Sequence, residues 1–219
     1  MTLLELNRIF WTRLALGLAS AAVTVWLFFA AGLAFVQQAP AVAALFAAIA
    51  ADAPVAEGQQ SPVTAALYAF AVPMLEAAIV PAILTVVLRI VAAVIRSRDR
   101  RRRDPLRRFT SQQRREGMTR AGGRCEMEAA FWRRCTRRAE QGDHFYPWSK
   151  GGSTTVLNFV AACPRCNGAK AARIPTPWTQ RKLENRRLAY VASPDAARVG
   201  ERQELPVETR QAAARSLVD

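Results

Sequence analysis

The chain has 219 residues, with 31 Lys plus Arg, 17 Asp plus Glu, one His and four Cys, and a formal net charge of +14. With 51% of its residues hydrophobic and 22% charged, it cannot be disordered throughout. The charge is unevenly spread: residues 1–95 hold only Arg8, Arg13 and Arg89 against Glu5, Asp52, Glu57 and Glu76, so residues 96–219 carry all of the positive excess. An apolar, nearly uncharged first half and a basic second half read as a membrane region followed by a soluble domain with an anionic partner.

The first predicted element is the run from Leu14 to Val36, 23 residues without a charge or a proline. At 1.5 Å per residue it crosses a hydrocarbon core of about 30 Å. Arg8 and Arg13 would also suit the start of a cleaved leader, but a leader's apolar stretch is typically about 7–15 residues, so the run reads as a retained transmembrane helix. Ala41 to Ala51 is apolar over only 11 residues and reads as an interfacial or re-entrant piece. A second span is expected within about residues 68–95, where Pro73, Glu76, Pro81 and Arg89 interrupt the apolar pattern and Arg89 can snorkel to the near interface. Glu76 lacks polar partners in its span and reads as an interfacial group or a contact between protomers rather than part of an ion path.

No Lys or Arg lies between Arg13 and Arg89, whereas residues 96–108, RSRDRRRRDPLRR, hold eight Arg. By the positive-inside bias both termini are cytoplasmic, the loop at Asp52 and Glu57 faces outside, and the chain sits in the cell (inner) membrane. Residues 96–108 form an Arg-rich juxtamembrane linker that Pro105 keeps from being one helix. Its charge suits a topology signal, a clamp on anionic lipid head groups and an arm on nucleic-acid phosphates. Thr110 then caps a polar helix, SQQRREGMTR, ended by Gly122 and Gly123.

All four cysteines fall within the basic half: Cys125, Cys135, Cys163 and Cys166. In a reducing cytosol they make poor disulfides, and four thiolates suit a tetrahedral Zn²⁺. Cys163-Pro164-Arg165-Cys166 has the spacing that aims two sulfurs at one metal, while the gap between Cys125 and Cys135 is unusually long for a partner pair. Phe145, Tyr146 and Trp148 favour a strand, Lys150-Gly151-Gly152-Ser153 a turn, Phe159 to Ala162 a returning strand, and Cys166 and Asn167 open a short helix. A hairpin packed on a helix has a small core, which a structural zinc would staple.

The single histidine lies between the cysteine pairs, in DHFYPWSKGG, followed by LNFVAACPRCN and Lys170. Asp143-His144, then Asn158, then Asn167, flanked by cysteine pairs, resembles the His-Asn-His (HNH, ββα-metal) endonuclease family over about residues 109–187. The resemblance implies phosphodiester hydrolysis in DNA. His144, with an ordinary pKa of about 6.5, suits a general base near neutral pH. Asp143 and Asn167 offer hard oxygen ligands for a catalytic Mg²⁺ or Mn²⁺, and Asn158 corresponds to the family's central Asn, which braces the loop behind the base. Many relatives have His where this chain has Asn167, a departure that favours Mg²⁺ over softer metals.

Lys150, Arg165, Lys170 and Arg173, with Arg181, Lys182, Arg186 and Arg187 beyond them, are expected to grip phosphates. Phe131, Trp132, Trp148 and Trp178 read as core residues rather than base-stacking platforms. Residues 188–219 read as a C-terminal tail that carries no motif from Ser193 onward and is either flexible or forms a short closing helix near Val207 to Leu217. The expected protein is thus α+β: an α-helical transmembrane hairpin over residues 1–95 and a zinc-stapled ββα-metal domain over 109–187. Its expected function is that of a membrane-anchored endonuclease, the alternative being a non-catalytic zinc module that tethers nucleic acid to the membrane.

Overall fold

In a computed structural model of the chain, residues 1–51, 62–129 and 133–205 are described. The loop at Asp52 and Glu57, Phe131 and Trp132, and the closing helix expected near Val207 lie outside them. The chain divides into two compact units, one of Leu14–Ala92 and one of Met1–Arg13 with Ala93–Asp219.

The first unit is helical. It takes in most of α1 (Leu3–Gln37), all of α2 (Ala39–Ala51) and most of α3 (Pro62–Arg101). Two stretches, Leu3–Gln37 and Ala71–Arg101, are long and apolar enough to cross a membrane, with mean hydropathies of 2.1 and 2.6 over an 18-residue window in each. Leu18, Phe28 and Phe29 on α1 and Leu75, Ile79 and Ile83 on α3 are exposed, the reverse of a helix that packs an apolar stripe against a core. Pro73 and Pro81 sit inside α3, where each removes one backbone donor without ending the helix. At 13 residues, α2 is about 20 Å long, too short to cross alone.

Both long helices run past their apolar stretches, and those ends belong to the second unit. Arg96–Arg101 continue α3 instead of forming a linker. Asp99, almost wholly buried, explains why: Arg13 Nη2 donates to both of its carboxylate oxygens at 2.7 Å, and Arg202 Nη2 donates to Oδ1 at 2.9 Å. The N-terminal ammonium donates to the Gly200 carbonyl at 2.9 Å, and Arg102 Nη1 to that of Gln203 at 2.8 Å. Asp99 and Arg102 of the juxtamembrane linker are therefore tied into the second unit by their own charges.

The second unit is built around a two-stranded antiparallel hairpin, β1 (Gln141–His144) and β2 (Phe159–Ala162), in the register His144↔Phe159. All four residues of β2 are buried, and their alternation separates two apolar clusters. Phe159 and Ala161 pack with Ala121 and Ala139, flanked by Phe109 and Met118. Val160 packs with Phe145, Leu183 and Val199. Ahead of the hairpin, α4 (Ser111–Arg120) starts at Thr110, whose hydroxyl accepts from Gln113 N–H while the Gln113 side chain accepts from Thr110 N–H, a complete capping box. Behind it follow α5 (Pro164–Lys170), α6 (Pro177–Arg187) and α7 (Pro194–Ala197).

The strand expected over Phe145 to Trp148 is displaced: β1 ends at His144, and Trp148–Lys150 form a single 3₁₀ turn. Asn158 causes this. Its side-chain oxygen takes the Tyr146 N–H at 2.8 Å in place of a ladder partner, and Pro147 then has no N–H to offer. Residues 188–205 are not a loose tail either, since Val199 is buried, Gly200 N–H donates to Leu157 at 3.0 Å, and Arg202 bridges to Gly152.

A buried ion pair joins α6 to the hairpin. Arg187 donates from Nε and Nη2 to the two oxygens of Glu126 at 2.9 Å each, both side chains being fully buried. Glu126 also accepts from Ala161 N–H at 3.0 Å and from the Tyr190 hydroxyl at 2.8 Å. Burial alone would raise the Glu126 carboxyl, but the Arg187 charge and these hydrogen bonds hold it below its ordinary pKa. Arg187, expected on the surface among phosphate-gripping residues, is instead a structural residue.

Candidate active site and cysteine cluster

The cysteines come from two places. Cys163 caps α5, its sulfur accepting from Cys166 N–H at 3.5 Å, with Pro164 at the first helical turn. Cys125 and Cys135 lie on a ribbon held by the antiparallel bridges Arg124↔Arg138 and Glu128↔Arg134. Cys125 N–H donates to Arg137 and Cys135 N–H to Met127, each at 2.9 Å. The long spacing is thus spanned by two paired arms, one carrying Cys125 and the other Cys135.

The four sulfurs lie within 4.8 Å of one another, and three of the cysteines are buried. A tetrahedral Zn–S bond of about 2.3 Å implies sulfur–sulfur edges of about 3.8 Å, so a small contraction seats the ion. Burial pushes the Cys163 thiol up, but hydrogen bonds from Cys166 N–H and the neighbouring sulfurs bring it down to about 7, toward the thiolate that binds metal. The donor set fits zinc.

Asp143 and His144 close β1, and Asp143 Oδ1 accepts the His144 N–H at 2.8 Å. Two contacts join α5 to β1: Asn167 Nδ2 donates to Gln141 Oε1 at 2.6 Å, and Lys170 Nζ lies 2.8 Å from Asp143 Oδ2 while donating to the His144 carbonyl at 2.7 Å. Lys170 is therefore engaged inside the site rather than reaching outward. Asp143 Oδ2 is buried and makes no hydrogen bond, its contact with the Lys170 ammonium being ionic. Asp143 and the Asn167 side-chain amide offer oxygen donors of the hard kind that suits Mg²⁺ or Mn²⁺.

The His144 ring is held on its face and at its edge. Phe109 stacks on it at 4.3 Å between centroids, and Nε2 lies 3.0 Å from Thr154 Oγ1. Burial first, then the charges of Lys170 and Arg107, push its pKa down to about 4 against a smaller opposing effect of Asp104. The imidazole is consequently neutral near pH 7, the form a general base requires.

Asn158 is fully buried with its amide saturated: Oδ1 accepts from Tyr146 N–H at 2.8 Å and Glu201 N–H at 3.3 Å, and Nδ2 donates to Tyr146 at 3.0 Å and Ser153 at 2.7 Å. It ties the two ends of the loop that follows the base. The same crossing needs glycine at 152, where a Cβ would lie 1.9 Å from the Tyr146 carbonyl oxygen, and at 151, where φ is 89°. Ser153 and Thr155 hydroxyls both donate to Glu201 Oε2 and close the loop from the other side.

His144 opens into a cleft of about 520 Å³ lined by Arg107, Arg108, Phe109, Arg114, Gly142 and Phe159. A second cleft, about 730 Å³, is lined in part by Arg137, Arg165, Lys170 and Arg173 beside Cys135 and Cys166. Arg107, Arg108 and Arg114 were not singled out as site residues by spacing; the signal that could have found them was the arginine run ending at residue 108. Lys150 lies on the 3₁₀ turn, half-buried and outside both cleft linings. Trp178 is 48% exposed, with the Lys182 ammonium 3.5 Å from its ring centre, and so is not a core residue. Trp148, half-buried, donates its indole N–H to the Asp104 carbonyl at 2.8 Å, with Arg103 and Arg107 over its ring.

No curated protein and no solved structure matches the chain. Residues 132–173, the stretch from the ribbon through β1, β2 and α5, match the family described as HNH endonuclease.

Proposed function

We propose that the chain is a membrane-anchored, metal-dependent endonuclease that hydrolyses phosphodiester bonds of DNA on the cytoplasmic side, with α1 and α3 as its two spans. The observation that carries the reading is the His144 ring, stacked on Phe109 and next to the buried Asp143–Lys170 pair, in an arginine-lined cleft within the stretch that matches the HNH family. The positive-inside bias supports the orientation, since both charged helix ends belong to the same unit as the cleft.

In this mechanism Arg107, Arg108 and Arg114 receive the phosphates flanking the cut, and Arg165 and Arg173 extend the basic surface past α5. His144 takes a proton from water as the water oxygen bonds to phosphorus; the bridging P–O bond breaks and the leaving oxygen collects a proton from solvent. A divalent ion held by Asp143 and Asn167 would neutralise charge on the phosphate. Lys170 pairs with Asp143 Oδ2 and fixes the end of β1 through the His144 carbonyl. Asn158 acts at one remove, by holding the loop behind the base. Zinc in the cysteine cluster staples α5 to the ribbon.

The test is nicking of supercoiled plasmid by the full chain in detergent, with Mg²⁺, with EDTA and as His144→Ala. A fragment beginning near residue 105 would lose Asp99, Arg102 and Asp104, which tie the second unit together, so the full chain is the appropriate protein. Metal-dependent cutting that disappears in the folded, zinc-loaded variant is expected. Salt-sensitive DNA binding with no cutting under any metal would favour the non-catalytic tether instead.

A further inference from the structure

The hydroxyl of Thr154 meets two groups at once: it donates to the Leu106 carbonyl, and it lies 3.0 Å from His144 Nε2. A carbonyl oxygen can only accept, and a threonine hydroxyl carries one proton. That proton is committed to Leu106, so the Oγ1 lone pairs face the imidazole, and Nε2 must carry the hydrogen. The opposite tautomer would set the Nε2 lone pair against oxygen lone pairs or cost the Leu106 hydrogen bond.

We propose that Thr154, pinned by residues 104–106, is a positioning residue that holds His144 with its proton on Nε2, leaving Nδ1 as the atom that accepts the proton from water. The proposal's catalytic consequence rests on the endonuclease reading; the tautomer itself does not.

Thr154 is well anchored for this role. It is buried, its N–H donates to Asp104 Oδ2 at 2.8 Å, and its carbonyl accepts from Gln113 Nε2 at 2.9 Å. Asp104 is oriented in turn, because its Oδ1 accepts from Leu106 N–H at 2.8 Å and its carbonyl from the Trp148 indole at 2.8 Å. Three residues further on, Phe109 stacks on the imidazole and fixes the plane in which the edge contact is made. The six residues 104–109 therefore grip the base by edge and face, and only Arg102 and Arg103 separate them from the end of α3. Holding a histidine's second nitrogen is the usual way a protein selects which nitrogen reacts.

Because the chain has one histidine, ¹⁵N-histidine labelling of the full protein, purified without a histidine tag in detergent, gives the signals of a single imidazole. The expected spectrum shows protonated Nε2 and unprotonated Nδ1 in the wild type and in Thr154→Ser, which keeps the hydroxyl. Thr154→Val, nearly the same shape without the hydroxyl, is expected to show mixed tautomers, with kcat on a short duplex down by about 10- to 100-fold and KM nearly unchanged. Rescue by serine separates positioning from packing. A wild-type spectrum with the proton mainly on Nδ1 overturns the proposal whatever the variants do, as does a folded Thr154→Val with unchanged tautomer and kcat. A wild type with the expected tautomer that cuts nothing overturns the endonuclease reading instead and leaves the tautomer assignment standing.

Discussion

The two units are stabilised in opposite ways. Leu14–Ala92 turns its large apolar side chains outward and has almost no buried core among its described residues, so it relies on backbone hydrogen bonds that helices satisfy internally. The unit of Met1–Arg13 and Ala93–Asp219 has only two small apolar clusters, and it supplements them with buried polar links at Asp99, Glu126–Arg187 and Asn158 and with the cysteine cluster. A small domain rich in arginine cannot bury enough apolar surface for its length, so much of its specificity must come from satisfied charges. The contrast predicts that the same kind of perturbation has very different effects in the two units.

Metal removal should separate them most sharply. Structural zinc in small domains contributes on the order of 10 kcal/mol. Prolonged chelation, or Cys163→Ser, is therefore expected to abolish the cooperative thermal transition of the second unit while the helical circular dichroism of α1 and α3 in detergent persists. Equal loss in both would show that the units are not independent. The next largest effect should follow from splitting the buried ion pair: Glu126→Ala leaves Arg187 buried without a counter-charge and should destabilise the second unit by about 3–5 kcal/mol in chemical denaturation. Replacing both with Met should cost far less, since no buried charge is left behind.

A pair of leucines tests the contrast with matched chemistry. Leu183, 2% exposed, should cost about 2–5 kcal/mol as Ala, whereas Leu18, 62% exposed on α1, should change the second unit's stability by less than about 0.5 kcal/mol. A comparable loss at Leu18 would mean that α1 is packed rather than surrounded by lipid.

Local signals carried much of this organisation. Thr110 and Gln113 announce α4, the apolar run Leu14–Val36 announces a helix long and apolar enough to cross a membrane, and CPRC announces the start of α5, because each depends on nearby residues. Asp143-His144 and Asn158 were legible as a constellation only through resemblance. What stayed hidden depends on distant approach. Nothing near Glu126 signals that Arg187, 61 residues later, will bury it, and nothing near Thr154 signals that Asp104, 50 residues earlier, will bind it. The ribbon that brings Cys125 and Cys135 together has no alternation strong enough to be read as strand. Charged residues misled most, since an arginine in a basic run looks solvated whether it ends on a phosphate or on a buried carboxylate.

That last distinction yields the smallest and most discriminating prediction. Arg187 and Arg13 are committed to Glu126 and Asp99, while Arg107 and Arg108 are exposed and line the cleft at His144. Each phosphate neutralised releases a counterion, so the slope of log K against log salt is about −0.9 per contact on duplex DNA. Arg107→Ala and Arg108→Ala should each make that slope shallower by about one while leaving thermal stability within about 0.5 kcal/mol. Arg13→Ala should do the reverse: it leaves Asp99 with Arg202 alone and lowers stability, but keeps the salt slope, because its charge was never available to DNA. Fluorescence anisotropy with a duplex at several salt concentrations reads the slope and thermal denaturation reads the stability, and an unchanged slope in Arg107→Ala with Arg108→Ala would remove these residues from the nucleic-acid surface.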